Sequence, residues 1–114
     1  MKGCIFCAIA EGSLPATIVH ADDDVVAFRD INPQAPVHVL VIPREHIVSA
    51  AELTPAQDPL WARLLHVAQA IAKDEGLDGQ GYRLVTNVGF GGGQTVTHLH
   101  LHVLGGRFMT WPPG

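Results

Sequence analysis

Residues 98–104 read His98-Leu99-His100-Leu101-His102-Val103-Leu104, an alternation of imidazole and aliphatic side chains. Because side chains along a strand point alternately to its two faces, the pattern places three imidazoles on one face and aliphatic groups on the other. The aliphatic face can pack on a core. Imidazoles near neutral pH can transfer protons, attack as nucleophiles or bind metals. The segment therefore predicts a strand with a functional site on its histidine face. The competing interpretation is a half-exposed polar face without chemistry.

The composition is that of a folded, globular chain. It has 114 residues, of which 47% are hydrophobic and 16% are charged. A chain of this length typically forms one domain, here 1–114, with a proper core. It contains no run of about 20 apolar residues, and its first residues lack the charged and apolar regions of a secretion signal. We expect a cytoplasmic protein that does not engage membranes.

The charge balance excludes one class of partner. Seven Lys and Arg residues stand against eleven Asp and Glu residues, which gives a net charge of −4 with histidine neutral. Non-specific binding of duplex nucleic acid depends on the neutralisation of phosphates by Lys and Arg, so we expect none here. A small nucleotide, held by backbone amides and a few polar groups, remains compatible with this charge.

Only two cysteines are present, Cys4 and Cys7. A disulfide is not expected in a reducing compartment. The pair is then open to three interpretations, which are buried thiols, a metal site and redox chemistry.

The remaining elements can be placed from periodicity and from turn residues. A short helix is expected over 5–10, ended by Gly12, and a main helix is expected from the cap at Thr54 to Gly76. Four further strands are predicted over 18–20, 25–29, 37–42 and 82–87. Hairpin-linked strands with one main helix predict an α+β fold on an antiparallel sheet of about five strands.

Several sequence blocks together resemble a known family. The chain is similar to the histidine triad superfamily and, within it, to the histidine triad nucleotide-binding (Hint) branch, and the similarity extends over essentially the whole chain. The blocks that carry it, besides the triad, are Asp30-Ile31-Asn32-Pro33-Gln34-Ala35-Pro36-Val37-His38, Val41-Ile42-Pro43-Arg44-Glu45-His46-Ile47, Asn87-Val88-Gly89, Gly92-Gly93-Gln94-Thr95-Val96, Gly105-Gly106-Arg107 and Trp111-Pro112-Pro113-Gly114.

The resemblance implies a HIT-like fold, a homodimer and a purine nucleoside phosphoramidase. His100 would be the nucleophile that forms a nucleotidyl-histidine intermediate, and His102 would contact the phosphate. His38 would support the triad from behind, although a histidine beside Leu40 is also typical of a core. The Thr95 hydroxyl would bond to the phosphate or the leaving group. Catalysis would need no cofactor.

The resemblance also assigns nucleotide-binding residues. Asp30 would bind the ribose hydroxyls, with a turn residue as its alternative role. Trp111 would reach the neighbouring subunit's site or would only anchor the interface. Arg29 stands at the edge of the base, where better-known members often have histidine. The base would be walled by Phe6, Ile9, Phe28 and Ile31. Asn87 and the glycine run 91–93 would face the phosphate, and the nucleotide-binding set also includes Gly93, Gln94, Thr95 and Val96.

The cysteine pair resembles that of zinc-binding bacterial triad proteins. By that resemblance His46 and His98 would complete a structural zinc site with Cys4 and Cys7, closed to water. Two other functions remain open for the chain. It could be an AMP-binding regulatory module with vestigial catalysis, or a dinucleoside polyphosphate hydrolase, against which the Trp111–Gly114 ending argues.

Overall fold

A computed structural model describes residues 1–114 as a five-stranded antiparallel sheet with two helices. The strands lie in the order β1-β2-β3-β5-β4, so that the centre of the sheet brings together segments far apart in sequence. This confirms the predicted α+β class. The elements are α1 (Ile5–Glu11), β1 (Ile18–Ala21), β2 (Val25–Arg29), β3 (Val37–Pro43), α2 (Asp58–Asp74), β4 (Tyr82–Val85) and β5 (Leu101–Gly105), with short 3-10 turns at Ala50–Glu52, Pro55–Gln57 and Phe90–Gly92.

The predicted histidine strand begins later than expected, at Leu101. Val41 pairs with Leu101, so the same register would next set Leu99 against Pro43, which has no N–H to offer. The Leu99 amide instead donates to Ile47 O at 2.6 Å. The predicted alternation of faces nevertheless holds, because Leu99, Leu101 and Val103 are buried together in the main core.

Strand β4 is also shorter than the predicted 82–87, since it ends at Val85. Beyond it, the Thr86 hydroxyl donates to the His100 carbonyl at 2.8 Å. A side-chain hydrogen bond thus replaces the backbone pairing between the two strands beyond Val85. Helix α1 extends one residue further than predicted, to Glu11, and ends at Gly12, whose φ of +83° suits only glycine.

The main core lies between α2 and one face of the sheet. Helix α2 follows a 3-10 turn in which the Thr54 amide donates to Gln57 Oε1 at 2.9 Å, and it buries one apolar stripe. The stripe consists of Leu64, Val67, Ala68, Ile71 and Ala72. It packs against the face of β2 and β3 that carries Val25 and Val39. No helix in the structure is both long and apolar enough to cross a membrane.

The opposite face of the sheet carries a smaller cluster, covered by α1. Its buried members are Phe6, Val26, Phe28, Leu40 and Ile42. His102 pairs with Leu40 in the sheet and therefore lies on this same face. The imidazoles are thus separated from the main core by the sheet itself.

Candidate functional site

A cavity of about 380 Å³ opens beside the histidines, between α1 and the sheet. Nine of the residues assigned from the resemblance line it: Phe6, Ile9, Phe28, Asp30, Ile31, Thr95, Val96, His100 and His102. Most of the other lining residues are apolar as well. This size and character are typical of small-molecule sites. A larger depression, about 650 Å³, lies between Asp23 and Arg63, but most of the residues that line it are polar or charged and none is a histidine.

His100 is buried with one ring nitrogen committed to the backbone. Its Nδ1 lies 2.7 Å from the His98 carbonyl oxygen, which can only accept a hydrogen bond. Nδ1 therefore carries a proton, and Nε2 is the lone-pair nitrogen in the neutral form of the ring. The ring of Phe6 contacts His100 edge-on, with centroids 5.1 Å apart and planes at 87°. The ring is thus held in place by a backbone hydrogen bond and an aromatic contact, and neither of them uses Nε2.

The tautomers of His38 and His102 follow by the same reasoning. The backbone N–H of Gln34 donates to His38 Nδ1 at 3.0 Å, so the His38 proton is on Nε2. That nitrogen lies 2.8 Å from His102 Nδ1, which must accept. The His102 proton is then on Nε2, available to a ligand in the cavity. His38 is therefore hydrogen-bonded to the triad residue His102, and its role in catalysis stays a prediction.

Both of these imidazoles are neutral at pH 7. Burial lowers the pKa of His38. Burial, together with the neighbouring imidazoles of His100 and His38, lowers the pKa of His102 to about 4. His102 is thus a neutral hydrogen-bond donor and not a fixed cation.

Asp30 serves a turn and also faces the site. One carboxylate oxygen accepts the Asn32 amide at 2.8 Å, which is the alternative role weighed for this residue. The other oxygen lies 3.4 Å from His38 Nε2. Because the side chain also lines the cavity, it remains available to ligand hydroxyls.

Four predicted nucleotide contacts are not brought to the cavity wall. The Asn87 side chain donates to Gly92 O at 2.7 Å, and the Gly93 amide donates to Phe90 O at 3.0 Å. The Gln94 side chain forms hydrogen bonds within and beside the glycine loop. It accepts from the Gly89 backbone N–H and donates to the carbonyl oxygens of Val48 and Val96. Trp111 is 82% exposed. The structure shows a self-contained loop, and ligand contacts by these residues stay predictions.

The Arg29 side chain points away from the cavity. Its guanidinium pairs with Glu75, beyond the end of α2, on the opposite face of the sheet. Arg29 contributes to the cavity rim but cannot present its charge to a base there.

Sequence reasoning also missed some wall residues. Leu40 could have been found from its period-two relation to His38. The wall residues Leu14, Pro15 and Ala16 follow α1 in an irregular segment that carries no such signal.

A second cluster joins α1 to the segment ahead of β5. Cys4 Sγ lies 3.4 Å from His98 Nδ1, and Cys7 Sγ lies 3.3 Å from His46 Nδ1 and 3.5 Å from His98 Nδ1. All four donor atoms lie within 4.8 Å of one another. His98 Nε2 donates to Pro43 O at 2.8 Å, so the His98 Nδ1 lone pair faces the sulfurs.

This cluster fits a tetrahedral zinc ion. Zn–S and Zn–N bonds of about 2.3 and 2.1 Å give a tetrahedral S···N edge of about 3.6 Å, close to the separations found here. Burial raises the pKa of the Cys7 thiol, and a bound metal would replace its proton. With four protein ligands, the site would have no open position for water or substrate.

Comparisons with known proteins agree with this architecture. A family model described as "Scavenger mRNA decapping enzyme C-term binding" matches residues 3–111. An uncharacterised HIT-like protein of Synechococcus elongatus is 53% identical, over 96% of both chains. A 14 kDa zinc-binding protein of Zea mays is 47% identical, over 96% of this chain and 87% of that protein. The crystal structure of a HIT family hydrolase from Legionella pneumophila superposes with a TM-score of 0.97, at 54% identity, covering 98% of this chain and all of that one.

Proposed function

The chain belongs to the histidine triad (HIT) hydrolase superfamily, and from this premise we propose that it hydrolyses purine nucleoside phosphoramidates of the AMP type. The observation that carries the proposal is the His100 ring, whose Nδ1 proton is held by the His98 carbonyl. This arrangement leaves Nε2 as a nucleophile at the cavity wall. Assignment to the Hint branch is part of the proposal.

The proposed reaction has two steps. His100 Nε2 attacks phosphorus, forming a P–N bond to the ring while the bond to the amine breaks. His102 Nε2–H donates a hydrogen bond to a phosphoryl oxygen, and His38 Nε2–H holds His102 in the tautomer that can do so. The leaving nitrogen takes its proton from water in the open cavity. A water molecule then attacks phosphorus, the bond to His100 Nε2 breaks, AMP leaves, and the proton released neutralises the hydroxide left by the first step. The net change adds one water across the P–N bond.

The cavity supports a nucleotide as the ligand. Phe6, Ile9, Phe28 and Ile31 offer an apolar slot for a purine. The Asp30 carboxylate suits two adjacent ribose hydroxyls, which it can accept together. Thr95 is exposed at the cavity rim, where its hydroxyl can meet the phosphate or the amine.

We also propose a structural zinc ion at Cys4, Cys7, His46 and His98. The donor distances and the zinc-binding relative support it. Cys4→Ser/Cys7→Ser should lose zinc and melt at a lower temperature, while turnover at saturating substrate, measured well below the melting point, persists. Unchanged zinc content would exclude this site. A cytoplasmic location would keep both thiols reduced for the metal.

A homodimer is the proposed assembly. Exposed aromatic side chains support it, because Phe108 and Trp111 are 86% and 82% exposed. Light scattering at micromolar concentration should give twice the chain mass of 12.2 kDa. A monomeric mass would contradict the proposal.

One side-by-side assay tests the proposed function. Wild type, His100→Ala and the exposed-site control His66→Ala are given an adenosine phosphoramidate and a dinucleoside polyphosphate. We expect wild type and His66→Ala to prefer the phosphoramidate, and His100→Ala to lose at least about 10³-fold in kcat. Undiminished turnover by His100→Ala would refute the nucleophile. A preference for the polyphosphate, or tight AMP binding without turnover, would instead support one of the two alternative functions.

A further inference from the structure

Helix α1 takes part in both sites at once. Cys4 precedes its first turn and Cys7 lies within it, and both sulfurs belong to the zinc-type cluster. The same seven-residue helix supplies Ile5, Phe6 and Ile9 to the cavity wall. Helices shorter than about 12 residues are marginal in water and depend on tertiary contacts. The docking of α1 therefore governs the shape of the cavity.

Helix α1 is held by the burial of Phe6 in the smaller apolar cluster and by polar contacts near its two ends. At the N-terminal end Cys4 and Cys7 lie 3.3–3.5 Å from His46 and His98, where thiols that bind no metal would form only weak hydrogen bonds. Near the C-terminal end of the helix, Arg44 donates to Ala10 O at 2.6 Å from an exposed position. Metal–thiolate coordination would replace the weakest of these contacts by the strongest bond between α1 and the sheet.

Two contacts join the cluster to the nucleophile. The Phe6 ring, between the two cysteines in sequence, meets His98 at 6.0 Å, His100 at 5.1 Å and Phe28 at 5.3 Å, measured between ring centroids. His98 itself offers its side chain to the cluster and its carbonyl to His100 Nδ1. Displacement of α1 would thus disturb both the base slot and the ring that performs the attack.

We propose that metal loading of the Cys4/Cys7/His46/His98 cluster is thermodynamically coupled to nucleotide binding through α1 and Phe6. The metal takes no part in the chemistry; it selects the conformation in which the cavity is complete. By linkage, a nucleotide tightens metal binding by the same factor by which the metal tightens nucleotide binding. This inference rests on the proposed function for its ligand, AMP, and on zinc as the metal.

The expected size of the coupling is about tenfold. If metal-free protein docks α1 in roughly a tenth of its molecules, its apparent affinity for AMP falls by about that factor. Coupling factors between two sites typically range from about 5- to 150-fold. A tenfold change is well within reach of titration calorimetry.

The experiment measures both sides of the linkage. AMP affinity is determined for zinc-loaded and chelator-stripped full-length protein, and zinc affinity is determined against a competing chromophoric chelator with and without saturating AMP. We expect both to change by about the same factor, near tenfold. The zinc arm uses folded, loaded protein, so it gives an answer even if the stripped form unfolds.

The outcomes separate the two proposals. Failure of both forms to bind AMP would overturn the proposed function and the coupling with it. Equal AMP affinities, together with a zinc affinity that AMP leaves unchanged, would overturn the coupling alone.

Variants identify the route. His46→Ala removes a ligand that lies outside α1 and should weaken AMP binding about as much as stripping, whereas the exposed His66→Ala should not. Phe6→Ala should still bind zinc but lose most of the coupling, and Phe6→Leu should keep part of it. Full coupling in Phe6→Ala would refute Phe6 as the link.

Discussion

His38→Leu tests the tautomer assignment at the site most directly, because it introduces an apolar side chain of similar bulk and removes both ring nitrogens. His38 accepts from the Gln34 amide at 3.0 Å and donates to His102 Nδ1 at 2.8 Å. A buried group left without its partner costs about 1–3 kcal/mol. The substitution leaves two groups without their partner, the part-buried Gln34 backbone N–H and His102 Nδ1. The free energy of unfolding should therefore fall by at least about 1–3 kcal/mol.

The same substitution should slow turnover through His102. Without a donor at Nδ1, the ring can carry its proton there, and Nε2 then has no hydrogen to give. A hydrogen bond to a charged group contributes about 1.5–3 kcal/mol, which corresponds to roughly 10- to 150-fold in kcat/KM. His38→Gln retains an N–H donor near the Nε2 position and should lose much less.

Three measurements check this prediction. Urea unfolding gives the stability, hydrolysis of an adenosine phosphoramidate gives kcat/KM, and ¹⁵N NMR of the imidazole nitrogens gives the tautomer. His66→Leu, at an exposed position on α2, is the matched control. If His102 in the His38→Leu protein still protonates at Nε2 and kcat/KM equals that of wild type, the relay deduced from Gln34 to His102 is wrong.

Three further predictions concern stability, each checked by the urea midpoint. A Cβ on Gly105 would lie 2.6 Å from the Leu77 side chain, so Gly105→Ala should lower the free energy of unfolding by about 1–3 kcal/mol. The double variant Gly105→Ala/Leu77→Ala removes the clash and should recover part of this loss. The pKa of His102 is held at about 4 in the folded protein, against an ordinary value near 6.5, so between these pH values the unfolded chain binds more protons than the folded one. The free energy of unfolding should therefore fall by about 2 kcal/mol as the pH drops from 6.5 to 4. His102→Asn should lack this part of the pH dependence. Arg63→Gln removes the cation 2.7 Å from Asp22 and leaves the carboxylate its contacts with His20 and with the backbone N–H groups of Asp24 and Val25. Because Arg63 is exposed, stability should fall by at most about 1 kcal/mol, and an unchanged midpoint would show that this ion pair contributes nothing.

Local patterns were sufficient for most of the fold. Period-two alternation identified the histidine face, and Gly76 marked the end of the main helix. The predicted start was wrong, because the cap at Thr54 begins a separate 3-10 turn and α2 starts at Asp58. These signals are local because a strand or helix imposes its periodicity on adjacent residues. The start of β5 was misplaced because it depends on Pro43 in a neighbouring strand, which the alternation within 98–104 cannot reveal.

The sequence by itself determined which side chains share a face with the triad, and its family resemblance named the residues that belong together. Only the tertiary structure decided the state of each nitrogen. His38 and His102 are 64 positions apart and meet because β3 lies beside β5, and Cys4 reaches His98 across 94 positions. Proton positions on imidazoles are set by whichever donor or acceptor stands opposite, often a backbone group such as the Gln34 amide or the His98 carbonyl. Every residue carries such backbone groups, so no side-chain pattern marks the ones that the fold will use.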